Sequence, residues 1–174
     1  SSLILSLQGS VNAPIDLNGG TIILNNDIVL TSTNYFASSG TINIQSHSAT
    51  INPNISQLIS NEITWIGNNG SINYNDDIIL TGTRTFVGNI TINGNGNAIT
   101  FDEGNFIIAP SSHLTLKDLQ VNAIVPNSIY CMDDTGTLTL DNVIWAQTGD
   151  FEFSKGTLEF NRVSQIIGPH TFAY

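Results

Sequence analysis

The sequence predicts an all-β fold, a right-handed parallel β-helix (β-solenoid) of about seven rungs, and three observations lead there. One short pattern recurs with a period in the low twenties. Apolar and polar residues alternate inside each copy. Asn, Gly, Thr and Ser stand where most soluble domains carry charge.

The repeat is Gly, a small polar residue, then apolar-x-apolar. It reads Gly20-Thr21-Ile22-Ile23-Leu24, Gly40-Thr41-Ile42-Asn43-Ile44, Gly70-Ser71-Ile72-Asn73-Tyr74 and Gly88-Asn89-Ile90-Thr91-Ile92. It continues as Ser112-His113-Leu114-Thr115-Leu116, Gly136-Thr137-Leu138-Thr139-Leu140 and Gly156-Thr157-Leu158-Glu159-Phe160. From the first copy, at Gly20, to the last, at Gly156, the mean period is about 23. Residues 20–31 also match residues 70–81 without gaps, an offset that reads as two periods. Such a period is too long for hexapeptide coils and too short for propeller blades of roughly 40 residues.

Alternation of period two buries one side of each strand. The predicted inward columns are Ile22, Leu24, Ile42, Ile44, Ile72, Ile90, Ile92, Leu114, Leu116, Leu138, Leu140, Leu158 and Phe160. Further apolar pairs, Ile28/Leu30, Ile78/Leu80, Ile99/Phe101, Leu119/Val121 and Val143/Trp145, supply the other strands of each rung. Asn-rich turns such as Asn93-Gly94-Asn95-Gly96-Asn97 suit side-chain amide ladders. The irregular interval 40–70, with Pro53 and the stretch 55–63, is expected to hold an inserted loop or short helix.

The 174 residues are read as one solenoid domain, 1–174, either a segment of a longer solenoid or a filament subunit. Charged residues are 10% of the chain and its net charge is −10, so the clustered cations that nucleic acid needs are missing. No apolar run approaches the roughly 20 residues of a membrane-spanning helix, so no membrane insertion is expected. The chain opens without Met or a secretory leader and reads as a mature or excised segment. An acidic, Lys-poor surface fits an extracellular or cell-surface location. Cys131 is the only cysteine and reads as a small buried hydrophobe.

The run TINGNGNAITF (91–101), with HLTLKDLQV (113–121) and GTLTLDNV (136–143), resembles the pectate-lyase-like superfamily of right-handed parallel β-helices. It is similar as well to the repeat regions of large bacterial surface and autotransporter-type proteins. The likeness spans about residues 20–165 and implies the fold. The chain lacks the GGAI motif of the chlamydial polymorphic membrane proteins, and Phe160-Asn161 does not fit their FxxN pattern.

A lyase of that kind would need carboxylates around a calcium ion and a cationic base. The acidic pairs are Asp76-Asp77, Asp102-Glu103 and Asp133-Asp134, and the cations are Arg84, Lys117, Lys155 and Arg162. Neighbours on a strand point to opposite faces, so these pairs read as solvated turn carboxylates. No lyase motif falls on them, and no catalytic, cofactor or metal residue is assigned. For glycoside hydrolysis, Asp102, Asp118 and Asp141 recur at intervals of 16 and 23, so two of them could stack on neighbouring rungs. His47, His113 and His170 lack ligand spacing. The pairs Asn89/Thr91, His113/Thr115 and Thr137/Thr139 suggest a Thr-bearing ice-binding face, broken by Thr21/Ile23, Thr41/Asn43 and Thr157/Glu159. Trp65, Trp145, Tyr35, Tyr74 and Tyr130 are the aromatics that could line a glycan groove, and Asn54, Asn69 and Asn89 sit in glycosylation sequons.

The function expected is that of an extracellular structural or adhesive solenoid of a cell surface or filament, without enzymatic activity. The alternative is a carbohydrate-binding or carbohydrate-cleaving β-helix. The strand-like ends, Ser1 to Leu7 and Thr171 to Tyr174, lead to an expectation of end-to-end self-association or continuation into a longer solenoid, with surface glycans as further partners.

Overall fold

The computed structural model describes residues 2–5, 13–31, 38–52, 62–162, 164–168 and 171–173, and the regular structure among them is all β. In chain order the strands are β1 (Ser2–Leu5), β2 (Thr21–Leu24), β3 (Ile28–Leu30), β4 (Gly40–Gln45), β5 (Ser48–Ile51) and β6 (Ile63–Tyr74). Then come β7 (Ile78–Leu80), β8 (Thr83–Asn93), β9 (Ala98–Phe101), β10 (Asn105–Ile108), β11 (His113–Ile124) and β12 (Ile129–Cys131). The last are β13 (Thr137–Gln147), β14 (Phe151–Glu152), β15 (Thr157–Asn161), β16 (Gln165–Ile167) and β17 (Phe172–Ala173).

All pairings among them are parallel, and their register defines a three-faced coil. On the first face Ser2, Thr21, Thr41, Thr64, Thr85, Ile107 and Tyr130 lie one above another, each a single turn of the coil after the last. The second face stacks Ile28, Ala49, Ile72, Ile92, Leu116, Leu140 and Phe160. The third stacks Ile78, Ile99, Val121, Trp145 and Ile166. A parallel β-solenoid is therefore the fold, as the repeat predicts. Each turn leaves its strand edges and apolar side to be covered by the turns above and below.

The repeat copies do not share one column, which corrects the sequence reading. Thr21–Leu24 and Thr41–Ile44 lie on the first face, whereas the copies from Ser71 onward lie on the second. The partner of Ile22, two turns on, is Trp65 and not Ile72, so the match of 20–31 with 70–81 is out of register by one face. The long interval from Gly40 to Gly70 is one ordinary turn, Thr41 to Thr64, plus the step to the next face. The loop or helix expected around Pro53 falls on residues 53–61, outside the described residues.

Alternation decides the core. Eleven of the predicted inward residues, Ile22 through Leu140, are buried, and Trp65, Phe86, Phe106 and Trp145 fill the interior beside them. Phe106 packs edge-on to both Phe86 and Phe101 with ring centres 5.0 Å apart. Leu158 is only partly buried and Phe160 is 44% exposed, contrary to expectation. Both belong to β15, the last described strand of the second face.

Corners are made in two ways. β6 and β8 run unbroken from the first face to the second, through Gly67 and Gly88, which are register partners. Gly88 has φ 81°, and a Cβ there would run into the carbonyl oxygen of Gly67. β11 and β13 instead round the corner from the second face to the third, with Asp118 at φ 50° and Asn142 at φ 60°. Asp and Asn tolerate this left-handed region better than most residues.

Candidate functional site

The acidic residues are the natural place to look for chemistry, and the structure gives most of them a structural task. Asp27, Asp77 and Asp150 each stand immediately before a strand. Their Oδ1 atoms accept the backbone N–H of Ser48 (2.7 Å), Ala98 (2.7 Å) and Thr171 (2.9 Å), each one turn further on. Asp76 accepts the N–H of Asp77 at 2.9 Å. Asp133 accepts both the N–H (2.9 Å) and the hydroxyl (2.7 Å) of Thr135, which hold its carboxyl below the usual carboxylate range. Asp102 is exposed at a corner after β9.

Asp118 and Asp141 do come together, through Arg162. The guanidinium donates to both oxygens of Asp141, 2.8 Å at Oδ2, and reaches Asp118 Oδ1 at 3.2 Å. Asn142 also donates to Asp118 at 2.8 Å. The hydrogen bond from Arg162 keeps the Asp141 carboxyl ionised below its ordinary range, opposite to what a general acid requires. Asp102 does not join them.

The other cations are placed as follows. Arg84 lies inside the coil, 2% exposed, between Ile63 and Phe106 in register, and donates to the carbonyl of Thr83 at 3.0 Å. Burial lowers its pKa, and the same burial raises that of Tyr74, a shift that the Arg84 charge partly offsets. Lys155 donates to the carbonyl of Met132 at 3.3 Å, and Lys117 lies 4.0 Å from Asp118. The alternation Thr83-Arg84-Thr85-Phe86 holds the signal for Arg84, because a residue two from an inward Phe faces inward as well.

Among the histidines, His47 lies 3.8 Å from Asp27 and His170 is outside the described residues. His113 heads a hydrogen-bonded chain on the outer side of the second face. Its Nε2 is 2.7 Å from the Thr139 hydroxyl, which donates to Glu159 Oε2 at 3.0 Å. Among the described residues, no three His, Cys, Asp or Glu side chains group as metal ligands. Cys131 is buried under Ile108, and burial, with a smaller push from Asp133, raises its thiol to about 11.

Hydroxyl rows occur on two faces. Ser48, Ser71, Thr91, Thr115 and Thr139 stack on the second, ending at Glu159, and Thr21, Thr41, Thr64 and Thr85 on the first. The repeat pattern alone aligns Thr21 and Thr41 with Asn89, His113 and Thr137, whereas the register places them on the first face. Thr41, Thr64, Thr83 and Thr85 line a groove of about 250 Å³ with Ser39 and Glu62. Of the aromatic candidates, Trp65, Trp145 and Tyr74 are buried, Tyr130 is half-buried on the outer side, and Tyr35 lies outside the described residues. Asn69 and Asn89 are exposed, and Asn54 is outside the described residues.

Sequence reasoning missed one feature. β14 and β17 form their own two-stranded sheet, and no ladder joins β14 to β12, the strand stacked above it. Ladders close the coil on either side, at Ile124/Gln147 and Thr137/Thr157. The stretch from Trp145 to Thr157 is shorter than the stretch stacked above it, Val121 to Thr137. The lower turn follows the shorter path, so the first face parts into a seam. A groove of about 390 Å³ lies over β14 and β17 beside the turn that precedes β12, lined by Pro126, Asn127, Asp150, Glu152, Ser154 and Thr171 among others. The trace of this in the sequence is the last repeat interval, Gly136 to Gly156, which is shorter than the two before it.

No protein-family model, no curated protein and no solved structure matches the chain.

Proposed function

We propose that the chain is a structural and adhesive segment of an extracellular or cell-surface solenoid, without enzymatic activity, and that it stacks end to end with a second copy. The observation that carries this is the uncovered layer of the last turn. Phe160 is 44% exposed and Ile166 39%, whereas Leu140 and Trp145, directly above them, are fully buried. Another coil in register would bury the lower residues as β15 and β16 bury the upper ones, at roughly 25 cal/mol per Å² of apolar surface. The engagement of Asp27, Asp77, Asp141 and Asp150 in holding turns together supports a scaffold.

The test is sizing and electron microscopy of the purified chain at micromolar concentration, beside Ile166→Asp. Rods of regular axial repeat that Ile166→Asp shortens or abolishes are the expected result. A monomer at all concentrations would overturn end-to-end assembly.

The groove along Thr41, Thr64, Thr83 and Thr85 favours a second reading, binding of a neutral glycan. Hydroxyls and the Glu62 carboxylate there supply hydrogen bonds without a cation. Saturable binding to a neutral polysaccharide, lost in Glu62→Gln, would favour it over a purely structural role.

A further inference from the structure

We propose that the groove along Thr41, Thr64 and Thr85 takes a neutral β-1,4-linked polysaccharide, extended along the axis of the coil with one sugar to each turn. The inference rests on the glycan-binding reading above and adds to it the linkage, the direction and the number of sugars held.

Direction follows from where the hydroxyls repeat. The groove is lined from four successive turns, by Gly19, then Thr41, Thr64 and Thr85. Thr21, Thr41, Thr64 and Thr85 are register partners, so one hydroxyl recurs about every 4.8 Å along the axis. Along any one strand the row breaks off, because the next outward residues are Ile23, Asn43, Ile66 and Val87. An extended β-1,4-linked chain advances by nearly the turn spacing with each sugar, whereas an α-1,4-linked chain coils away from a straight row. Among the described residues no hydrogen bond engages the hydroxyls of Thr41, Thr64, Thr83 or Thr85. The Ser39 hydroxyl accepts the Glu62 N–H at 3.0 Å and still has its own proton to donate.

The rest of the lining sets the chemistry. Glu62 supplies a carboxylate, and no cation lines the groove. Arg84, between Thr83 and Thr85 in sequence, is buried inside the coil. An acidic polysaccharide would meet no counter-charge here on a chain of net charge −10, while a neutral one offers hydroxyls that Glu62 accepts from. Ile23, Ile66 and Val87 stand half-buried in the row beside the hydroxyls, and the C–H faces of sugar rings pack on such a surface. At about 250 Å³ the groove is smaller than the clefts of roughly 300–1,000 Å³ that enclose a ligand, so the polysaccharide lies in it by one edge.

The probes are cellobiose, cellotriose, cellotetraose and cellohexaose, each titrated into the full chain by calorimetry. Affinity should rise with each sugar up to the tetraose and change by less than about threefold beyond it. Maltotetraose, with the same sugars in α-linkage, should bind at least about tenfold more weakly. Thr64→Val removes a hydroxyl from the middle of the row, keeps its shape, and should weaken the tetraose by about fivefold. Thr91→Val makes the same change on the second face and should leave binding unaltered. Affinity that does not grow with length, or maltotetraose bound as tightly, would overturn the extended chain while leaving glycan binding in place. Equal losses in the two variants would overturn the assignment to this groove. No binding by any of these sugars would overturn the proposal together with the glycan reading. Thermal melting of each variant confirms that the coil remains folded.

Discussion

Asp27, Asp77 and Asp150 occupy three different corners, yet each precedes a strand and accepts an N–H from the next turn. A carboxylate does there what a carbonyl does within a strand ladder. Asp77→Ala leaves the Ala98 N–H without that partner and should cost about 1 kcal/mol, read from chemical denaturation. Asp77→Asn, which keeps an acceptor oxygen, should cost less. Cys131 tests burial at the same scale. With its thiol held at about 11, chiefly by burial, it is protonated at pH 8. Iodoacetamide should label it only when the chain is unfolded, and rapid labelling of the native chain, seen by mass spectrometry, would show the site to be open. Most side-chain directions were legible at this scale because alternation fixes them. Arg84 shows the limit, since its charge drew attention as a candidate cationic base while the same alternation turns it inward.

Strands were legible in the sequence, but the faces they occupy were not. Ile22 and Ile72 sit in the same local pattern and both are buried, yet they belong to different columns. Burial demands only an apolar residue facing in, and all three faces make that demand. Register comes from long-range pairing, which no short window contains. Leu138 lies between Leu114 and Leu158 in its column and is fully buried. Leu138→Ala should therefore cost about 2–5 kcal/mol, measured by denaturant unfolding. Gly88→Ala combines a positive φ with a backbone obstruction at Gly67. It should destabilise by more than the roughly 1 kcal/mol of an ordinary Gly→Ala mismatch, whereas Gly96→Ala, with open space around it, should be milder. Equal losses in the two variants would mean that the close approach at Gly67 contributes little.

At the scale of the molecule, composition and period were enough for the fold class, whereas the site was barely visible. A seam made by a turn that takes a shorter path leaves no motif, only one shortened interval. Acid response belongs to this scale too. Asp141 and Asp133 titrate below their ordinary value of 3.8 when folded, because of hydrogen bonds from Arg162 and Thr135. Their contribution to stability is present above the unfolded-state pKa and is lost as pH falls through the folded one. The melting temperature should therefore be insensitive to this pair between about pH 7 and pH 5 and fall below about pH 4. Asp141→Asn should show a shallower acid decline than the parent chain, and an identical decline would remove Asp141 from the account.

The turn Leu24-Asn25-Asn26-Asp27-Ile28 rounds one corner of the coil, and its near copy Tyr74-Asn75-Asp76-Asp77-Ile78 rounds the next. Nothing in such a module records which corner it serves. The chain therefore resembles a layered crystal that can carry a stacking fault. Gain or loss of about a third of a turn shifts the phase of every later layer, while each layer still fits the one before it. One module thus serves two different corners, with Leu24 and Tyr74 buried alike at its start.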